Sequence, residues 1–399
     1  MRAHLAWLEG LGLYLKWWLQ ALARARDPRA PLGARRLLVL VAGMPLFLLI
    51  QLGHGLALLL DEVLFPGYRR RRVDRALFII GVPRSATTFA HRTLARDDER
   101  YTTFKAWELL LAPALCQRRL LRALGAADRR LGGWGQRGAR RLIERFAGAW
   151  DGIHEVRLEA PEEDYLALLP AGGCFVLLLA FPAAAAVQGL GDLEGSLSAS
   201  RRRRLLALYE GCLKRHLHDD GGGRILLSKN AALSSWLGTL ARRFPRARFL
   251  VTLRDPRRAL SSQVSAVARA GQALGTDPTH PRAECLFVEH YAAGLSHLET
   301  ALESLPRRRA AVVDAGDLHQ APGATLAAAL AQLGEPVSGR LRDELIRLDQ
   351  ATPAASGHPH DPARLDCGEA VIRTRLLPPY HALLRGVHRA RPGPVAEVA

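Results

Sequence analysis

Apolar residues in this chain gather into short unbroken runs, set between long stretches of helical periodicity. Four runs read as strands, at 77–81, 225–228, 249–253 and 310–313. None alternates with polar residues, so each predicts a strand covered on both faces, as in a parallel sheet. Helical patterns fill the gaps between them, which is the α/β arrangement of a sheet flanked by helices. The interval from about 96 to 220 is mostly helical. It has room for a cap over the strand ends, where ligands enter such sheets. The tail after about 351 is rich in Pro, His and Gly and is expected to wrap the site before a last helix at about 369–386.

A different pattern occupies the first 72 residues. Trp7, Leu8, Leu11, Tyr14, Leu15, Trp17, Trp18, Leu19 and Leu22 make an apolar, Trp-rich helix suited to a membrane interface. Arginines crowd 24–36, with Pro28 and Pro31 as breakers. Residues 37–60 then contain no Asp, Glu, Lys or Arg. As a helix that run is about 36 Å long, enough for a bilayer core. It lies too far from the start for a simple signal peptide. Arg35 and Arg36 precede it and Arg69 to Arg72 follow, so flanking charge assigns no orientation. Two readings stay open. One is a re-entrant or interfacial helix pair bent near Pro45, which keeps both ends on one side. The other is a soluble hairpin packed on the rest of the chain. Leu60-Asp61-Glu62 to Tyr68 reads as a capped exit and linker, which sets a module at 1–72 and a catalytic domain at 73–399.

The first strand leads into Gly81-Val82-Pro83-Arg84-Ser85-Ala86-Thr87-Thr88. A strand, a tight loop and a helix start in this order point backbone N–H groups and a helix N-terminus at one spot, which suits phosphate. The length matches a P-loop. The lysine before the Thr pair is missing, and Arg84 stands inside the loop. A plain turn without ligand is the bland alternative. A second element weighs against it. The strand at 249–253 is followed by Arg254-Asp255-Pro256, where Asp255 is placed to cap a helix and Pro256 suits its first turn. Ser262 lies about two helical turns on. An arginine and a hydroxyl so arranged can hold a second phosphate.

Together these residues resemble the sulfotransferases that use 3′-phosphoadenosine 5′-phosphosulfate (PAPS), in their bacterial and carbohydrate-type branches. The loop Pro83, Arg84, Ser85, Ala86, Thr87 and Thr88 is similar to the family's phosphosulfate loop. Arg254 and Ser262 match its 3′-phosphate site. Lys229 matches its strand-end lysine, and Pro161-Glu162-Glu163-Asp164 resembles a further family segment. The resemblance spans about 77 to 375 and implies PAPS as cofactor, no metal, and Trp107-Glu108 as the acceptor-activating pair. The family's loop glycine is Ala86 here, harmless at negative φ and costly at positive φ.

On this reading Arg84 and Lys229 neutralise the leaving group, and Glu108 abstracts the acceptor proton. His154 is the rival base. An exposed helix-start role for Glu108 near Lys105 is the bland alternative. Glu162, Glu163 and Asp164 read as structural helix-start acids. The formal charge of +18 is almost all arginine. No nucleic-acid module accompanies it, so the Arg runs at 69–72, 201–204 and 307–309 read as solvated faces. Five scattered cysteines suggest neither disulfides nor a zinc site and fit a reducing compartment, with the catalytic domain on the cytoplasmic side of a membrane. A lipid or glycolipid hydroxyl is the first expectation for the acceptor, a soluble carbohydrate or small alcohol the second. The competing classes are a P-loop nucleotide kinase and a non-catalytic membrane scaffold. Arg84 and Ala86 argue against the first, and Ala86 is the best argument for the second.

Overall fold

The apolar runs pair as parallel strands in a computed structural model that describes residues 2–138, 141, 158–351 and 369–392. The strands are β1 (Ala76–Gly81), β2 (Tyr101–Thr102), β3 (Ile225–Asn230), β4 (Arg248–Leu253) and β5 (Ala310–Asp314). Among the described residues they form one sheet in the order β2-β3-β1-β4-β5. The chain leaves β1 toward one edge and later crosses to the other side of it. That reversal opens a crevice at the C-terminal end of β1. Register aligns Ile79 with Lys229 and Gly81 with Thr252, so the ends of β1, β3 and β4 lie side by side.

Alternate residues of each strand enter different cores. Phe78 and Ile80 face the same layer as Phe249, Val251 and Trp236. Leu77 and Ile79 face Leu227, Leu250, Leu326 and Leu330. Both faces are dry, which is why the strands read as continuous apolar runs.

The helices that matter to the site are α1 (Arg2–Ala23), α2 (Ala34–Leu64), α3 (Thr87–Leu94), α4 (Ala106–Leu110), α5 (Leu115–Arg130), α6 (Ala199–Asp219), α7 (Pro256–Ala273) and α8 (Pro281–Glu303). As expected, Asp255 caps α7, accepting from Arg257 N at 2.9 Å, with Pro256 in the first turn. The C-terminal helix is broken by a wide turn at Ile372–Leu376. Beyond it, Ala390 N donates to Val312 O at 2.9 Å, which adds the tail to the β5 edge. The passage expected to cross the site falls on 352–368, outside the described residues.

The N-terminal helices are part of the main core, with Tyr14, Trp17, Met44 and Leu58 in the same cluster as Phe78. Two expectations change here. The aromatics of α1 face the protein rather than a lipid interface. Trp7 donates to Gln51 O at 3.1 Å, and Tyr14 is fully buried with its hydroxyl on Leu169 O. Helical periodicity alone could not say which side of an apolar helix turns inward. Nor is Asp61-Glu62 a linker. Asp61 is completely buried, 2.8 Å from Arg215 Nε, and accepts from Leu115 N at 2.7 Å and Cys116 N at 2.9 Å. One carboxylate thus caps α5 and ties α2 to α6. Of the arginine runs, Arg201 and Arg204 are not simply solvated: both pair with Glu9 of α1, at 2.9 and 2.8 Å.

Asp61→Ala removes one of the two carboxylates on a buried guanidinium, Glu62 staying at 2.9 Å, and uncaps a helix. It should lower unfolding free energy by about 2–5 kcal/mol in denaturant titration. Arg257→Ala, which breaks the exposed pair with Glu369, should leave the unfolding midpoint unchanged.

Candidate active site

The loop between β1 and α3 is pinned from below. Ser85 Oγ donates to Val82 O at 2.7 Å and meets Thr252 Oγ1 at 2.8 Å. A Cβ on Gly81 would come within 2.3 Å of Thr252 O, so β1 and β4 can close only around glycine. The Ser85 hydroxyl is therefore engaged by Val82 and Thr252, and the residue is fully buried. Tyr291 of α8 donates to Pro83 O at 2.5 Å and holds the loop from the other side.

Two non-glycine residues of the loop sit in the left-handed region, Arg84 at φ 64° and Ala86 at φ 69°. Ala86 therefore takes the costly branch. Strain of this kind persists only where neighbours over-determine the backbone. Its effect is to turn the Arg84 side chain across to α7, where Arg84 Nε donates to Ser262 Oγ at 2.9 Å. Arg254 Nη1 donates to Arg84 O at 3.3 Å. Burial lowers the basicity of both guanidiniums, and Arg84 beside Arg254 lowers the latter further. An anion between them would relieve both shifts.

Lys229 is the other fixed charge. Its side chain is 1 % exposed, yet its ammonium reaches Thr88 Oγ1 at 3.0 Å and Glu163 Oε1 at 2.9 Å, with Glu162 Oε1 at 3.8 Å. Next to it, burial and then Lys229 hold the imidazole of His91 well below the usual histidine range. His91 Nε2 lies 2.7 Å from Thr103 Oγ1. Asp164 lies deeper, with Tyr209 OH donating to it at 3.0 Å and Asn230 Nδ2 also bonded. Burial pushes its carboxyl up to about 7 despite these bonds.

Of the residues singled out in the sequence, Arg84, Thr88, Lys229, Arg254 and Ser262 converge on one crevice. Glu108 occupies a different setting. It is buried, and its Oε2 accepts from Lys105 N at 2.9 Å, capping its own helix. Arg118 Nη1 lies 3.5 Å from its Oε1 and His216 Nδ1 3.7 Å from its Oε2. This is the capping role near Lys105, though buried rather than exposed. His154 lies outside the described residues. Glu162 and Glu163, expected as structural helix-start acids, both lie against Lys229. Nothing local in Pro161-Glu162-Glu163-Asp164 distinguishes a helix-start acid from a site acid. The distinguishing partner lies 66 residues away in sequence from Glu163.

The sequence profile described as Sulfotransferase family matches residues 76–339. No curated protein matches the sequence. Among solved structures, sulfotransferase STF9 from Mycobacterium avium aligns with a TM-score of 0.66 at 16% identity, covering 95% of this chain and 90% of that one. Sulfotransferase STF1 from Mycobacterium tuberculosis H37Rv aligns at 0.64 with 16% identity, covering 92% of each chain.

Ala86→Gly removes a left-handed Cβ worth about 1–2 kcal/mol but loosens the unfolded chain by about 0.5–1 kcal/mol. The variant should be equally stable or up to about 1 kcal/mol more stable in chemical denaturation. A clear loss of stability would mean that the Ala86 methyl makes a packing contact larger than its strain.

Proposed function

The chain belongs to the sulfotransferase family, and we propose that it moves a sulfuryl group from PAPS to a hydroxyl or amine acceptor. The observation that carries this is the convergence of Arg84, Arg254, Ser262, Lys229 and Thr88 on one loop at the sheet's crevice. Two guanidiniums at one end and an ammonium at the other fit a nucleotide with phosphates at both ends. Arg254, Ser262 and Arg84 would hold the 3′-phosphate. The loop from Pro83 to Thr88, through its N–H groups and the Thr87 and Thr88 hydroxyls, would hold the phosphosulfate with Lys229. When bound, the cofactor supplies an activated sulfuryl group.

The chain's own residues then have two tasks. Lys229 neutralises charge on the leaving side, as preorganised cations do in related transfers. A carboxylate takes the acceptor proton. Glu163 is the better placed base, because it already shares Lys229 with the loop. As Lys229 turns toward a bound anion its hold on Glu163 weakens, which raises the carboxylate's basicity toward an acceptor proton. Glu108 becomes a positioning residue in this reading. Its segment pairs with the acidic one, Glu162 N donating to Phe104 O at 2.9 Å and Ala106 N to Ala160 O at 3.1 Å.

Residues 73–399 form the transferase domain in this proposal, with 96–220 as its cap insertion. Residues 1–72 form a membrane-associated module, with the catalytic domain on the cytoplasmic side. A lipid or glycolipid hydroxyl at the membrane is the acceptor this organisation favours. Mass spectrometry of lipid extracts from cells with and without the chain tests that choice.

Titration calorimetry with 3′-phosphoadenosine 5′-phosphate tests the cofactor site. Arg254→Ala should cost about 1.5–3 kcal/mol of binding and Ser262→Ala about 0.5–1.5 kcal/mol. Binding by both variants equal to the parent would sink the assignment. Preference for ATP with Mg²⁺ would favour a kinase, and binding of neither nucleotide a scaffold.

Single-turnover rates separate the two glutamates. Glu163→Gln should slow transfer by about a hundredfold to ten-thousandfold with cofactor binding retained. Glu108→Gln should lower thermal stability and leave the rate within about tenfold, since it acts through other residues. The opposite pattern would return the base to Glu108.

A further inference from the structure

The helix Ala34–Leu64 is long and apolar enough to cross a membrane. Its sides are distributed the wrong way for a soluble helix. Gln51, His54, Leu58 and Asp61 follow helical spacing and are buried against the protein. Leu49, Leu56, Leu60 and Val63 lie on the outside, at 65, 54, 49 and 76 % exposure. Polar groups thus face the protein and apolar groups face out, the inverse of a surface helix. The first helix also turns leucines outward, Leu5, Leu8, Leu15 and Leu19, over a buried aromatic side. Scattered surface leucines are ordinary, whereas two adjacent helices lined with them are a contact surface.

The face continues beyond residues 1–72. On α5, Gln117 Nε2 meets His54 Nδ1 at 3.0 Å, and Cys116 Sγ donates to Ala57 O at 3.4 Å. One and two turns further along that side of α5 come Leu120, Leu121 and Leu124, all exposed. Exposed arginines mark the ends of the apolar helices, Arg26 between α1 and α2, Arg35 in the first turn of α2, Arg70 and Arg72 after α2, with Arg119 on α5.

We propose that the chain docks on one leaflet of an anionic phospholipid bilayer through this single face, made of α1, α2 and α5, and that α2 does not cross the bilayer. The proposal rests on the membrane reading of residues 1–60 and gives it a geometry and an extra element. Crossing is opposed by the inner side of α2. His54, in the middle of the charge-free run, would enter hydrocarbon stripped of Gln117 at 3.0 Å and Leu110 O at 3.2 Å. A bilayer surface asks only for what α2 exposes, an apolar stripe with cations at its ends. A second copy on the same face would set these arginines against one another.

The full-length chain is tested by flotation on vesicles of phosphatidylcholine with and without phosphatidylglycerol. Binding should strengthen with phosphatidylglycerol. The double variant Leu120→Glu, Leu124→Glu should melt like the parent and lose about tenfold or more in vesicle partition. Gly33→Cys and Pro66→Cys, at the two ends of α2, should both react with an impermeant maleimide added on the protein's side of sealed vesicles. Site occupancy is read by mass spectrometry. Protection of one end means that α2 spans, which overturns the proposal. Parent-like flotation of the α5 variant also overturns it. If Leu49→Glu, Leu56→Glu then releases the chain, the membrane reading of residues 1–60 survives. A parent that ignores vesicles, or that forms a dimer dispersed by the α5 variant, overturns both.

Discussion

A buried ammonium organises this protein. Lys229 sits on the central part of the sheet with almost no solvent, so its charge has to be met by protein groups. Two segments meet it: the start of α3 through Thr88 and the acidic segment through Glu162 and Glu163. Each lies in a different stretch of chain, so the ion pair is also a statement of tertiary order. Next to it Asp164 is held by Tyr209 of α6 and Asn230 of β3. The acidic segment therefore carries one carboxylate pair for the crevice and one carboxyl for the scaffold. Removing the scaffold bonds would leave the crevice pair without fixed geometry.

The same segment links the site to the N-terminal helices. Asp164 opens a 3₁₀ stretch, Asp164–Ala171, whose end packs on α1. Tyr14 bonds to Leu169 O, and a Cβ on Gly10 would come within 2.5 Å of the Ala171 carbonyl carbon. Only a residue without a side chain lets α1 approach this closely. The module of residues 1–72 is thus more than a tether. Deleting it would bare the core surface that Tyr14, Trp17 and Leu58 cover and unpair Arg215 from Asp61 and Glu62. A truncated chain that misfolds would say nothing about membranes, which is why single exposed leucines are the sharper probe.

Much of the fold was legible because both faces of the sheet are dry. Continuous apolar runs marked β1, β3, β4 and β5 within about a residue or two of their ends. β2 was not legible, since Tyr101–Thr102 is two residues long and carries no period. The cofactor-type constellation was legible as spacing, because Lys229 lies at the end of β3, Arg84 and Arg254 follow β1 and β4, and Ser262 lies two helical turns past Arg254. What stayed hidden was direction. Ser85 turns into the sheet through Thr252, and the aromatics of α1 turn inward. Asp61 reads as a polar exit from an apolar run until Arg215, 154 residues on, is brought to it. Glu108 and Glu163 look alike in sequence, each an acid near a helix start. They differ only in which cations the fold delivers, Arg118 to one and Lys229 to the other.

The loop shows how that delivery is paid for in backbone geometry. A glycine at position 86 would adopt φ 69° without strain, and Arg84 at φ 64° would still carry its own. Both departures persist because Ser85 between them is locked to Val82 and Thr252, while Tyr291 clamps Pro83. With the middle of the loop fixed, Arg84 has one direction left, toward Ser262 and Arg254. Two arginines brought together this way repel each other, and burial deepens the effect. The arrangement is unfavourable for the protein alone and favourable with an anion present. Strain, burial and like charge therefore point to the same conclusion from independent directions. They are the conditions under which the proposed cofactor, an anion, would be bound more tightly than water in the same crevice.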